Sequence, residues 1–90
     1  MEPRTIVGID VGTTKICTLV GEVHEDQALR IIGVGVTPSR GLRKGVVVNV
    51  HEATEAINTS IRRAERVSGY EIASAYVGVG GGYISAINSR

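Results

Sequence analysis

The chain has 90 residues, enough for one small domain, and a domain of this size buries only about 60 to 65% of its unfolded surface. Ten Lys and Arg residues balance nine Asp and Glu residues, so no strong charge indicates a nucleic-acid partner or an anionic membrane surface. The single cysteine, Cys17, excludes an intrachain disulfide and is interpreted as a small buried hydrophobe in a reducing compartment.

The first predicted element is a strand that runs into a polar turn. Residues 6–9 are apolar and mostly β-branched, too few for a helix, and Asp10 follows them. Asp10 is a candidate Mg²⁺ ligand through water, because this ion usually reaches a protein through very few carboxylates. The candidate phosphate-binding residues are those of the turn: Gly12, Thr13, Thr14 and Lys15. Gly12 lets the backbone bend sharply and approach an anion, while the hydroxyls and the ammonium group offer donors and positive charge.

Other phosphate-binding loops do not fit this chain. A Walker A loop has the form Gly-x-x-x-x-Gly-Lys-Ser/Thr, which occurs nowhere in the sequence. The dinucleotide-binding fingerprint fails because its third glycine is missing after the Gly-x-Gly pairs at residues 33–35 and 78–80. Residues 8–15 instead resemble the phosphate 1 loop of the actin, Hsp70 and sugar-kinase superfamily. The alternative is an ordinary hairpin with a polar tip.

Two further strands are predicted from Val- and Ile-rich runs at residues 16–23 and 29–37, with the polar residues 24–27 as the turn between them. With the first strand they form an antiparallel meander. Several of these segments are apolar on both alternating faces, a pattern typical of a sheet that is covered on both sides. A basic loop follows at residues 39–45, and a solvated loop is the favoured interpretation, so no site is predicted there.

A helix is predicted to begin at Asn49, because Asn49 and Glu52 have the spacing of a capping box. Gly69 is predicted to end the helix in the left-handed conformation. The predicted core stripe recurs at spacings of three and four residues and comprises Val50, Ala53, Ile57, Ile61, Ala64 and Val67. The arginines near the end of the helix are explained by its dipole, which favours cations there.

An apolar strand is predicted at residues 72–79. Because a strand, a helix and a strand in this order imply a right-handed crossover, this strand is predicted to run parallel to a neighbour in a mixed sheet. Residues 80–82, all glycine, are either a flexible joint or a place where a ligand approaches the backbone. Residues 83–88 form another strand-like run. No closing turn follows it, and the chain is expected to be part of a longer protein.

Taken together, these motifs resemble the N-terminal part of the bacterial cell-division protein FtsA family. The matching stretches, in order, are residues 8–15, 41–45, 53–69, 77–84 and 88–90. The resemblance implies an α/β fold with a ribonuclease-H-like (actin-like) mixed sheet: an antiparallel meander of three strands, then a helix and a parallel strand. It implies that residues 1–82 form the first half of an actin-like ATPase subdomain. Residues 83–90 would begin an inserted SHS2-type subdomain.

The resemblance also implies a function for the longer protein. Members of the family are cytoplasmic, lie peripherally on the inner membrane at the division site, self-associate into filaments and link the FtsZ ring to that membrane. The implied ligands are ATP and Mg²⁺, with Asp10 near the metal and residues 12–15 around the phosphates. The FtsZ-binding subdomain and the C-terminal membrane helix would lie beyond Arg90. At most a weak ATPase is expected in the longer protein, and weak or no ATP binding in this chain alone.

Two alternatives remain open at this point. A small-molecule (sugar) kinase of the same superfamily shares the hairpin but needs a catalytic Asp elsewhere as a general base. A nucleotide-free, pilus-assembly-type interaction module would retain the hairpin as scaffold, although a bare turn does not require Asp10, Gly12 and Lys15 together. Because one helix cannot cover both faces of the sheet, the chain alone is predicted to expose apolar surface and to associate with itself.

Overall fold

The computed structural model describes residues 4–43, 46–79 and 83–88. Its elements, in chain order, are β1 (Arg4–Val11), β2 (Lys15–Val23), β3 (Leu29–Pro38), β4 (Leu42–Arg43), β5 (Val46–Val47), α1 (Val50–Ser68), β6 (Ser74–Val79) and β7 (Tyr83–Asn88). The predicted strands and the predicted helix all form. The sequence does not predict the small ribbon of β4 and β5, because strands of 2 residues carry no periodic signal.

The main sheet is mixed, as predicted. Its 5 strands lie in the order β3-β2-β1-β6-β7. β1, β2 and β3 form the antiparallel meander, and β6 runs parallel to β1 after the crossover through α1. β7 pairs antiparallel with β6. The predicted glycine joint at residues 80–82, and residues 44–45 of the basic loop, lie outside the described residues, and the subdomain boundary stays a prediction.

Both ends of α1 have the caps that the sequence predicts. The Asn49 side chain accepts a hydrogen bond from the Glu52 amide at 3.0 Å. Gly69 has a φ of 73°, and its amide donates to the Glu65 carbonyl. In a full capping box the Glu52 side chain would accept a hydrogen bond from the Asn49 amide. Here the Asn49 amide donates instead to the Gly41 carbonyl at 3.1 Å. Gly41 itself has a φ of 75°, and a Cβ there would collide with the start of α1, so the loop can close on the helix only with glycine.

The helix packs on β2 and β3 mainly through small side chains, and its buried residues are Ala53, Ala56, Ser60 and Ala64. Ala53 and Ala64 belong to the predicted stripe, and its Ile57 and Ile61 pack against the core. Val50 and Val67 are 72% and 66% exposed, so the predicted stripe is wrong at both ends. The cause is a close approach of helix and strand. A Cβ on Gly33 would lie 2.8 Å from the Ala64 carbonyl oxygen, and one on Gly35 would lie 2.6 Å from the Ala64 amide nitrogen. The Gly-x-Gly pair of β3 therefore serves helix packing.

Polar groups also join the helix to the sheet. Thr18 of β2 and Ser60 of α1 are fully buried, and their hydroxyls form a hydrogen bond with each other. The Arg63 guanidinium donates to the carbonyl of Val36 in β3 at 2.6 Å. The dipole explanation therefore suits Arg66 in the last turn, whereas Arg63 has a specific partner on the strand at the edge of the sheet.

The sheet has one face covered by α1 and one face that no described residue covers. The buried side chains toward α1 include Val7, Ile9, Val11, Ile16 and Val20. The opposite side, called here the open face, carries exposed apolar side chains, among them Leu19, Val34, Val36 and Tyr76. Cys17, predicted to be buried, is only half-buried because it lies on the open face. The predicted exposure of apolar surface is confirmed for the described residues, and self-association stays a prediction.

Candidate functional site

The candidate site lies where the parallel strands β1 and β6 end. In the register of the sheet, Asp10 lies opposite Cys17 of β2 and Gly78 of β6. Gly78 has no side chain to cover the neighbouring carboxylate, and Asp10 is exposed on the open face. Ligands of α/β sheets bind outside the carboxyl ends of the parallel strands. The position of Asp10 is therefore the position at which this class of sheet presents a site.

The turn after β1 is held by a backbone hydrogen bond from the Gly12 amide to the Lys15 carbonyl at 3.0 Å. A Cβ on Gly12 would lie 2.9 Å from that carbonyl oxygen, closer than side-chain carbons come to backbone atoms. The φ of Gly12 lies outside the left-handed region. Gly12 is thus required by the close contact with the start of β2, and not by an unusual backbone angle.

The polar side chains of the site have no partners within the described chain. Those of Asp10, Thr13, Thr14 and Lys15 are exposed, and none forms a hydrogen bond or an ion pair with another described residue. A carboxylate, hydroxyls and an ammonium group are therefore all available to a ligand. This set matches a phosphate with its hydrated magnesium ion, because the hydroxyls and the ammonium suit phosphate oxygens and the carboxylate suits metal-bound water. The assignment of these residues to a ligand stays a prediction.

Ser39, which the sequence does not indicate as a site residue, lies beside the same turn. The Ser39 amide donates to the Thr14 carbonyl at 3.0 Å, which ties the end of β3 to the turn. The Ser39 hydroxyl oxygen is buried and has no hydrogen-bond partner among the described residues. The predicted meander implies this position for Ser39, because the end of its third strand must lie beside the turn between the first two strands. The sequence predicts Ser39 only as part of the basic loop.

Other parts of the described chain do not form a comparable site. Within residues 4–43 and 46–79, no three His, Cys, Asp or Glu side chains come together as a metal centre. Arg40 and Arg43 of the basic loop are exposed. No described helix combines the length and the apolar character that crossing a membrane requires.

A depression of about 360 Å³ lies between α1 and β6, away from the turn. Its apolar lining includes Ile9, Ile57, Ile61, Ile72 and Val77. These side chains belong to the hydrophobic core or pack against it. The depression therefore marks core side chains that α1 only partly covers, and its apolar lining does not suit a phosphate.

Comparison with known proteins identifies relatives across nearly the whole chain. The family model described as "Cell division protein FtsA" matches residues 7–86. Cell division protein FtsA of Pseudomonas aeruginosa is 46% identical over 87 residues, which cover 97% of this chain and 21% of that protein. The FtsA protein of Borreliella burgdorferi is 47% identical over 90 residues, 100% of this chain and 22% of its own length. The FtsA protein of Escherichia coli is 39% identical over 85 residues, which cover 94% of this chain and 20% of that protein. The chain thus spans about a fifth of the length of these curated relatives.

Proposed function

The chain belongs to the FtsA family of cell-division proteins, and from this premise we propose that it carries the phosphate-binding hairpin of an actin-like, ATP-binding protein. The observation that supports this most is the turn after β1. There a carboxylate, hydroxyls and an ammonium group lie together at the end of the parallel strands without partners in the described chain. The family match favours this function over the sugar kinase and the nucleotide-free module that the sequence leaves open.

In this proposal each residue of the turn has a separate role. The hydroxyls of Thr13 and Thr14 donate to phosphate oxygens, and the ammonium of Lys15 offsets their negative charge. Asp10 accepts hydrogen bonds from the water shell of Mg²⁺, an ion that neutralises phosphate charge when it is bound. Gly12 keeps the turn tight, because an added Cβ would collide with the Lys15 carbonyl.

The proposal includes an actin-like fold around this hairpin. It is supported by the strand order β3-β2-β1-β6, with β6 parallel to β1 and a helix in the crossover. In a protein of that fold, ATP lies in a cleft between two domains, and the hairpin supplies one wall of the cleft. This chain alone is therefore expected to bind ATP weakly or not at all.

For the longer protein we extend the proposal to its place in the cell. A protein of this family would assemble into filaments on the cytoplasmic face of the inner membrane at the division site and link the FtsZ ring to that membrane. Family membership supports this role. The segments that contact FtsZ and the membrane would lie outside this chain, which is a fifth of the length of its relatives.

The test is a calorimetric titration of ATP with Mg²⁺ into the product of the complete reading frame, and into this chain alone. Asp10→Asn removes the charge that orients the metal-bound water and is expected to weaken binding about 10- to 100-fold. Asp26→Asn makes the same chemical change in the turn between β2 and β3, at the other end of the sheet. It retains a side-chain oxygen for the Ala28 amide, so its ATP affinity should equal that of the unmodified protein.

Binding by the complete protein, weakened by Asp10→Asn and unchanged by Asp26→Asn, would support the split cleft and the role of Asp10. Absence of binding by the complete protein would contradict the proposal and leave the hairpin as scaffold. Equal weakening in the two variants would contradict the specific role of Asp10, because it would follow from any loss of a carboxylate.

A further inference from the structure

The end of β3 and the turn of the candidate site face each other across the meander. The register pairs Lys15 with Pro38, and one residue further on, the Ser39 amide donates to the Thr14 carbonyl at 3.0 Å. Ser39 follows the last residue of β3 and Thr14 precedes the first residue of β2, so this hydrogen bond continues the pairing of the two strands by one residue. The Ser39 hydroxyl oxygen is buried, whereas Thr14 is exposed.

The buried hydroxyl of Ser39 requires an explanation. It has no hydrogen-bond partner among the described residues, and a buried hydroxyl without a partner lowers stability. A serine that stabilises the fold is expected to make such bonds, as Ser60 does with the Thr18 hydroxyl and the Ile57 carbonyl. Ser39 instead lies beside a turn whose own polar side chains are also without partners among the described residues. The Ser39 hydroxyl without a described partner and the available polar side chains of the turn therefore lie at the same place in the molecule.

We propose that Ser39 is a positioning residue of the phosphate site. When a phosphate binds at the turn, rotation of the Ser39 side chain to another staggered rotamer lets its hydroxyl donate to the Thr14 hydroxyl oxygen. The Thr14 hydroxyl then directs its own proton toward a phosphate oxygen, because a hydroxyl that accepts one hydrogen bond becomes a better donor in the next. Ser39 acts on the ligand only through Thr14. This inference rests on the proposed function.

The test combines Ser39→Ala, Thr14→Val and the double variant in the product of the complete reading frame, with Mg²⁺-ATP as the ligand in calorimetry. Ser39→Ala is expected to raise the Kd about 3- to 10-fold, the effect of one hydrogen bond. In the Thr14→Val background it should raise the Kd no further, because the acceptor is already gone. Ser74→Ala removes an exposed hydroxyl at the far end of β6 and serves as the control, with no expected change in Kd.

The melting temperature without ligand separates positioning from simple stabilisation. Ser39→Ala should leave that temperature unchanged or raise it, because the substitution removes a buried hydroxyl that has no hydrogen-bond partner among the described residues. A lower melting temperature together with an unchanged Kd would overturn the inference. If Asp10→Asn weakens binding but Ser39→Ala does not, the inference fails while the proposed function stands. If the unmodified protein does not bind Mg²⁺-ATP, the proposed function fails, and the inference fails with it.

Discussion

The two faces of the sheet both carry glycine and β-branched residues. Within the described chain, however, only the face toward α1 is covered by another element. On that face, a Cβ on Gly35 would collide with the helix backbone, and Thr18 is fully buried. On the open face, a Cβ on Gly8 would meet no atom within 4 Å. The cross-strand neighbours of Gly8 are Leu19 and Tyr76, which are 41% and 58% exposed.

This contrast shows that glycine has different structural roles on the two faces. A glycine on the covered face sets the distance between strand and helix, whereas Gly8 has no steric function that the described chain can explain. Apolar side chains on both faces of a strand are typical of a sheet that is covered on both sides. The curated relatives are about five times longer than this chain. We therefore expect the open face to be a contact surface in the longer protein.

The largest expected effect comes from adding a methyl group to each face in turn. In this chain, Gly35→Ala should lower the free energy of unfolding by about 3 kcal/mol, because the Cβ would force the backbone of α1 away from β3. Gly8→Ala should raise the free energy of unfolding by about 0.5 to 1 kcal/mol, because it restricts the unfolded chain and meets no neighbour. Urea denaturation measures both changes.

Equal destabilisation by the two substitutions in this chain would contradict the difference between the faces. The same pair of variants in the complete protein sharpens the comparison. If another segment covers the open face there, Gly8→Ala should change from stabilising to destabilising, while Gly35→Ala keeps its effect.

A smaller effect on the free energy of unfolding is expected from removing the buried hydroxyls between the helix and the sheet. Thr18→Val keeps the shape of the side chain but removes its hydrogen bond with Ser60, so the free energy of unfolding should fall by about 1 to 2 kcal/mol. Adding Ser60→Ala should cost less than it does on its own, because the two hydroxyls are lost together. Strict additivity in the double-mutant cycle would indicate that the hydroxyls do not interact.

The smallest effect on stability is expected from a substitution on the open face, where the main effect should be on self-association. Val34→Lys replaces an apolar side chain that is 41% exposed with a charged one, so the free energy of unfolding should change by less than about 0.5 kcal/mol. Sedimentation velocity should show weaker self-association of this chain. Thr54→Lys adds the same charge on the exposed side of α1 and should leave association unchanged. A monomeric unmodified chain would contradict the prediction of self-association.

Much of the fold could be predicted because the signals are local. The polar turn between apolar runs, the Asn49 cap and the left-handed Gly69 each depend on residues a few positions apart, and the structure contains all three. The candidate ligand residues are predicted from equally local signals, since Asp10 and the turn after it are contiguous in sequence. Family membership also followed from short motifs in a fixed order, and the comparison confirms it.

What the sequence by itself determined is therefore the helix and the strands of the main sheet, their order, the family and the polar turn. The tertiary structure decided which side of α1 is buried, because Gly33 and Gly35 admit a helix face of small residues and turn Val50 and Val67 outward. It also brought Ser39 to the turn. These results depend on contacts between residues far apart in the chain, and periodicity within one element carries no information about the surface that its partner presents.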